Sequence, residues 1–208
     1  PPDINEGVGG FSVSDGSIRY GLSAIKSIGQ SVVDEIVSER ETRGPFYSLE
    51  DFIERMKGKD INKRTLESFI KSGAMDSLPG TRKQKFIVSG QLLDQKNKEK
   101  RTSIEGQLSL FDFAAKEDRP SFQIQFPAVG EYTKDELLAF EKEILGVYIS
   151  GHPLEAYISL WEKNITAKTS DFAVAEETGE AAVKDGTYAT IGGMITGKTV
   201  KTTRAHQM

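Results

Sequence analysis

At 208 residues, with 28% charged and 37% hydrophobic side chains, the chain has the composition of one or two globular domains whose core is built in pieces. It has no cysteine, which excludes disulfides and thiolate metal sites and fits a reducing, cytoplasmic compartment. The formal net charge of −4 rules out nucleic-acid binding by bulk positive charge, and with no apolar run of spanning length and no basic-then-apolar leader, no membrane partner is expected.

Pro1 to Asn5 reads as extended. The chain starts without an initiator methionine, as expected of a piece of a longer protein. Phe11–Ser14 and Ser17–Tyr20 read as two short strands about an Asp15-Gly16 turn. Tyr20 to Ile36 then reads as a short helix, a hairpin at Lys26-Ser27-Ile28-Gly29, and a second helix ending at Gly44-Pro45. Gly29 offers a backbone position free of Cβ sterics, and Val32, Val33, Ile36 and Val37 recur at helical spacing. A helix starting after such a turn presents the N–H groups of Gln30 and Ser31 outward. Those donors and the helix dipole attract phosphate, the helix-hairpin-helix way of holding nucleic-acid backbone without reading bases. An ordinary helical turn containing a glycine would satisfy the same residues.

Ser48 is placed to cap a helix that buries Leu49, Phe52, Ile53 and Met56. After a turn over 58–62, Asn62 caps another, with Leu66, Phe69 and Ile70 inward and Ser72-Gly73 closing it. This second unit lacks a glycine-bearing hairpin and reads more as a structural partner than as an equal clamp, with Lys63 and Arg64 as its phosphate candidates. Thr81 to Gln95 reads as a helix carrying Phe86, Ile87, Leu92 and Leu93. Its stretch is basic, with Arg82, Lys83, Lys85, Lys96, Lys98, Lys100 and Arg101 opposed only by Asp94 and Glu99. That run is either a solvated face or a supporting phosphate surface, with Arg82 and Lys83 as candidates.

Residues 96–127 read as a long polar loop. Within it, Gln107-Leu108-Ser109-Leu110-Phe111 either tucks onto the core or docks on a partner, with Leu110 and Phe111 as apolar anchors and Gln107 as a hydrogen-bonding group. Thr133-Lys-Asp-Glu136 fits a capping box ahead of Leu137, Leu138, Phe140, Glu141, Ile144 and Leu145, and Gly146 ends that helix. Val147 to Leu154 forms a corner stiffened by Gly151 and Pro153. His152 has no ligand set at metal spacing and reads as a turn histidine. A short helix follows from Leu154 to Trp161, and Asp171 to Asp185 has linker composition. Tyr188–Ile195 reads as a strand with a bulge at Gly192-Gly193, linked through Gly197 to a second strand over Lys198–Arg204.

Taken together, several stretches resemble one family: Pro1-Pro-Asp-Ile-Asn5, Ile18 to Gly29, Asn62-Lys-Arg-Thr-Leu-Glu67, Ser72-Gly-Ala-Met-Asp76, Gln107 to Phe111, Glu141-Lys-Glu-Ile-Leu-Gly146 and Ser150-Gly-His-Pro-Leu154. In this order they resemble the middle-to-C-terminal part of the alpha subunit of bacterial DNA polymerase III, over nearly the whole chain. The resemblance implies a mainly α fold with small β parts, a tandem helix-hairpin-helix domain followed by the start of an OB-fold. The expected organisation is 1–20 as the end of the fingers region, 21–95 as the tandem hairpins and 96–127 as a loop with a clamp-binding motif. It continues with 128–170 as helices packed on the hairpin domain, 171–186 as a linker and 187–208 as a truncated OB-fold.

In function, the resemblance implies duplex binding by Lys26, Ser27, Ile28, Gly29, Gln30, Ser31, Lys63, Arg64, Arg82 and Lys83. It implies sliding-clamp binding by Gln107, Leu108, Ser109, Leu110 and Phe111, and contact with single-stranded template through Lys198, Lys201 and Arg204. Other replisome subunits are further partners. The parent protein is expected to be a DNA-directed DNA polymerase in replication, whose palm aspartates hold Mg2+. No matching aspartate set occurs here, so this segment is expected to hold no cofactor and to be inactive alone. The family commonly has glycine where Ser27 stands, which puts the hairpin's phosphate grip in question if that position needs positive φ. The alternative is a stand-alone helix-hairpin-helix module of a repair protein. A hydrolase is disfavoured by two histidines, no cysteine and no Gly-x-Ser-x-Gly.

Overall fold

A computed structural model describes residues 1–14, 16–104, 125–176 and 179–200. The chain forms two compact units, Pro1–Ser150 and Gly151–Met208.

The first unit is helical. A hairpin of β1 (Ser12–Ser14) and β2 (Ser17–Arg19), with Val13 opposite Ile18, precedes a turn of 3-10 helix at Leu22–Ala24. Then come α1 (Gln30–Arg43), α2 (Leu49–Arg55), α3 (Lys63–Lys71), α4 (Arg82–Ile104) and α5 (Lys134–Leu145). Three of these starts are set locally, as their sequences predict. Ser48 accepts from Asp51 N–H at 3.1 Å and Asn62 from Thr65 N–H at 3.0 Å. Thr133 and Glu136 complete a reciprocal capping box. The N-terminus of α4 has a local box as well, Thr81 Oγ1 accepting from Gln84 N–H at 3.1 Å and Gln84 Oε1 from Thr81 N–H at 3.0 Å, and it is also capped from a distance. Glu131 accepts from the N–H groups of Arg82 and Lys83 at 2.8 and 3.1 Å.

Helix α4 runs on to Ile104, where a loop was expected from residue 96. The added residues include Lys96, Lys98, Glu99, Lys100 and Arg101, which are good helix formers, and no Gly or Pro interrupts them. The expected docking peptide, Gln107 to Phe111, lies outside the described residues.

The core joins all five helices. Phe46, Phe52 and Phe69 stack edge to face at 5.0 and 6.1 Å, surrounded by Leu49, Ile53, Leu66 and Ile70. The N-terminal segment is a strap across it. Ile4 is fully buried and its N–H bonds Ala74 O at 2.9 Å, while Asn5 exchanges two hydrogen bonds with the backbone of Phe46. Arg40 holds the carbonyls of Ile4 and Gly7, both at 2.9 Å.

Polar contacts fix α3, α4 and α5 against one another. Arg82 grips Asp76, with Nη2 to Oδ2 at 2.6 Å, and its Nη1 lies 3.7 Å from Glu141 Oε1. Glu141 is buried, and its other oxygen accepts from Ile149 N–H at 2.8 Å and Ser150 N–H at 3.0 Å. Gly73, at φ +80°, leaves the space Arg82 occupies, because a Cβ there would meet the guanidinium.

In the second unit, a 3-10 turn at Glu155–Tyr157 leads into α6 (Ile158–Asn164). His152 sits in the preceding corner, its Nδ1 accepting from Leu154 N–H at 3.2 Å. The stretch read as a linker folds back on itself, through a bridge between Val174 and Ala181 and a bond from Val183 N–H to Asp171 O at 3.0 Å. Residues 188–200 form no strand among the described residues. They run beside the helical part instead, with Trp161 Nε1 donating to Gly192 O at 3.0 Å and Thr166 N–H to Thr190 O at 2.9 Å. Gly192, read as a bulge, lets the indole approach: a Cβ would sit 2.5 Å from the Trp161 ring. Strand pairing needs neighbours, and two strands alone rarely supply enough.

Burial alone raises the Glu141 carboxyl, yet the N–H groups of Ser150 and Ile149 and the Arg82 guanidinium hold it below its ordinary value. A carboxyl depressed by folding contributes stability above its unfolded pKa, about 4.3, and that contribution is lost as pH falls through the folded value. Glu141→Gln is therefore expected to lower stability at pH 7 by about 1–3 kcal/mol and to flatten the loss of stability below about pH 4. Urea unfolding of both proteins at pH 7 and pH 3.5 checks this. An unchanged acid limb would count against Glu141 as a source of it.

Candidate nucleic-acid interface

The hairpin between the 3-10 turn and α1 is held from both sides. Leu22 and Ser23 donate to Val8 O and Gly9 O at 2.9 and 3.1 Å, and Ile28 N–H closes onto Ile25 O at 3.2 Å. Ile28 is buried and anchors the turn, while Lys26, Ser27, Gly29, Gln30 and Ser31 are exposed. The backbone of Lys26 donates to Ile144 O at 3.0 Å and Tyr20 Oη to Leu145 O at 2.9 Å, docking the hairpin on the end of α5.

The left-handed residue of this hairpin is Ser27, at φ +70°. Gly29, read as the residue needing freedom from Cβ sterics, is extended at φ −81°, ψ 151° and is the N-cap of α1. No side chain caps that end, and Gly29 O receives the N–H groups of Val32 and Val33. The first-turn donors of Gln30 and Ser31 thus remain at an exposed helix start, the arrangement that favours an anion.

The second helical pair faces the same place. A cleft of about 430 Å³ is lined by Lys26 and Ser27 from the hairpin, by Lys63, Arg64, Glu67, Ser68 and Lys71 from α3, and by Glu143 and Ile144 from α5. Four cations against two carboxylates make it locally positive in a chain whose net charge is −4. Lys63 and Arg64 stand exposed on the first turn of α3. The second helical pair, read mainly as a structural partner, therefore supplies most of the cations of the cleft.

Other candidates lie elsewhere. Arg82 is a correction: its side chain is 8% exposed and its guanidinium is engaged by Asp76, Glu141 and Lys71 O, so it is not available to a phosphate. Lys85, in the same basic run, is buried and donates to Met75 O at 2.8 Å. Lys83 is half-buried, with its ammonium 5.4 Å from the Tyr132 ring centroid. Lys198 is exposed and belongs to the other unit, while Lys201 and Arg204 lie outside the described residues. Sequence reasoning missed Lys71, Glu67 and Glu143. The first two were accessible to it, since Lys63, Glu67 and Lys71 recur every four residues and so share a helix face. Glu143 comes from a distant helix. Among the described residues no three His, Asp or Glu side chains converge as a metal site.

A left-handed non-glycine residue is strained by about 1–2 kcal/mol relative to glycine. Ser27→Gly is expected to stabilise the protein by about 1 kcal/mol, read as a rise of about 2–4 °C in the thermal midpoint. A fall would show that the serine side chain contributes more than its backbone strain takes away.

Comparison with known proteins bears on this geometry. Residues 1–85 match the helix-hairpin-helix motif family, a span that contains both halves of the cleft except its α5 wall. The chain is 46% identical over 156 residues, 75% of its length, to a protein of Borreliella burgdorferi named DNA polymerase III subunit alpha. Proteins of the same name are 36% identical over the whole chain in Deinococcus radiodurans and 33% identical over 94% of it in Mycobacterium leprae. The chain spans about one seventh of the length of these relatives. With its helix-hairpin-helix part and its similarity running through to the second unit, the chain belongs, as a segment, to the DNA polymerase III subunit alpha family.

Proposed function

We propose that this chain is a duplex-gripping and clamp-tethering segment of a replicative DNA polymerase, supporting processive template-directed synthesis. The observation that carries the duplex part is the single cleft into which two successive helical units bring Lys26, Ser27, Lys63 and Arg64. Cations and an uncapped helix start recognise phosphate oxygens, contacts that position a duplex without carrying sequence information. The grip would therefore be independent of sequence. Polymerisation itself, with its Mg2+, belongs on this reading to parts of the larger protein other than these residues. The alternative of a stand-alone repair module is less well supported, because the relatives named above are polymerase subunits several times longer than the chain.

The tether would be Gln107 to Phe111, whose apolar anchors suit a pocket on a ring-shaped sliding clamp. Holding the polymerase to a ring encircling DNA raises its effective concentration at the primer end. Lys198, Lys201 and Arg204 would serve single-stranded template as part of an OB-fold, and further replisome subunits would contact the parent protein.

For the duplex, affinity is expected to fall steeply with salt, equally for unrelated sequences. Lys63→Ala with Arg64→Ala should lower the slope of log K against log salt by about two. Fluorescence anisotropy with labelled duplexes at several salt concentrations measures both, and no binding at low salt would sink the reading. For the tether, Leu110→Ala with Phe111→Ala should weaken clamp binding by about 100-fold or more in a surface-capture assay. Unchanged clamp affinity would remove these residues from the interface.

A further inference from the structure

The cleft contains one cation that is unlike the others. Lys63 and Arg64 are exposed side chains at a helix start, whereas Lys71 is held in place from three sides. Its ammonium lies 5.1 Å from the centroid of Phe140 on α5 and 5.9 Å from that of Phe86 on α4. Phe140 is itself braced edge to face by Tyr132 at 4.9 Å. Cations over aromatic faces are attracted by the ring quadrupole, and their stems are fixed by the same packing. The third side is Glu143, whose Oε2 is 3.4 Å from Lys71 Nζ. The two partners differ in freedom. The Lys71 side chain is 21% exposed and that of Glu143 is 54% exposed, so the carboxylate is the one able to swing into water.

We propose that Lys71 is a further phosphate ligand of this cleft, and that Glu143 is the internal anion that a backbone phosphate of duplex DNA displaces from it. The inference rests on the duplex-gripping reading above. A pre-placed ammonium loses little side-chain freedom when it meets a phosphate. A half-exposed ion pair contributes little by itself, so a phosphate carrying comparable charge can exchange with the carboxylate. Glu67 is the second carboxylate facing the cleft, 4.0 Å from Lys63, and is the weaker competitor because its partner is not fixed by other contacts. The result is a site in which Lys63 and Lys71 hold carboxylate when DNA is absent and phosphate when it is present.

Anisotropy titrations of the 208-residue chain with a labelled duplex, over a salt series, test the exchange. Lys71→Met, which keeps an apolar stem between the two rings, should lower the salt slope by about one. Lys71→Arg should retain the slope. Glu143→Gln should tighten binding about three-fold, and in the Lys71→Met background it should give no gain. An unchanged slope in Lys71→Met, with its thermal midpoint preserved, overturns the inference. So does a Glu143→Gln gain that persists in the Lys71→Met background, because the carboxylate would then act through the general field and not through Lys71. If Lys63→Ala with Arg64→Ala weakens binding while Lys71→Met does not, only this inference falls. If neither weakens it, the duplex reading falls as well.

Discussion

The ionic junction around Arg82 is the constraint on which the rest depends. Its guanidinium ties Asp76, at the end of the α3 connection, to Glu141 in the middle of α5, and Glu141 in turn holds the chain at Ile149 and Ser150. Buried ion pairs add little net stability, because desolvation offsets their attraction, but removing one partner costs about 3–5 kcal/mol. Their effect is to select one arrangement of helices over others of similar apolar burial. That selection matters here because α5 forms the far wall of the cleft. It carries Glu143 and Phe140, and its carbonyl at Ile144 receives the hairpin N–H of Lys26. A shift of α5 by a turn would move the hairpin and the cations of α3 apart.

Two sets of basic residues in this chain have opposite environments that composition cannot separate. Arg40, Arg55, Arg82 and Lys85 satisfy carbonyls inside the fold. Arg55, for example, serves Glu39 O, Gly44 O and Pro45 O while lying 4.2 Å over the Phe46 ring. Lys26, Lys63 and Arg64 stand exposed around one cleft. A negatively charged chain can thus present a locally positive cleft, because Lys26, Lys63, Arg64 and Lys71 are gathered there.

Legibility in the sequence followed the range of the interaction. The caps at Ser48, Asn62 and Thr133 act over three residues, and their helices begin as the sequence predicts. At α4 the local box of Thr81 and Gln84 is joined by Glu131, far along the chain, whose contribution carries no local pattern. In the hairpin, residue type points to Gly29 as the position free of Cβ sterics, yet Gly29 is extended, and the left-handed conformation falls on Ser27, where the resemblance alone leads one to expect glycine. Residue type indicated the turn but not its register. The inward Arg82 and the unpaired segment over 188–200 depend on what packs beside them, which neither charge nor alternation encodes. The cleft itself is the largest case, since residues 26, 63, 71 and 143 meet only through the packing of α5 on α3.

A grip of this kind must release as readily as it holds, if the proposed role in processive synthesis is right. Each nucleotide added would require every phosphate contact to break and form again one step along. A bare cluster of fixed cations would resist that step, since leaving a phosphate would strand unneutralised charge at close range. Lys71 beside Glu143, and Lys63 beside Glu67, each have a carboxylate within reach when the phosphate departs. The internal anions then lower the affinity of the bound state and the barrier between registers together. Retention over many steps would have to come from elsewhere, and a tether that raises effective concentration supplies it without any tighter hold on the duplex. On the proposed reading, weak backbone contact and a separate tether are complementary parts of one solution, and the carboxylates in the cleft keep the contact weak.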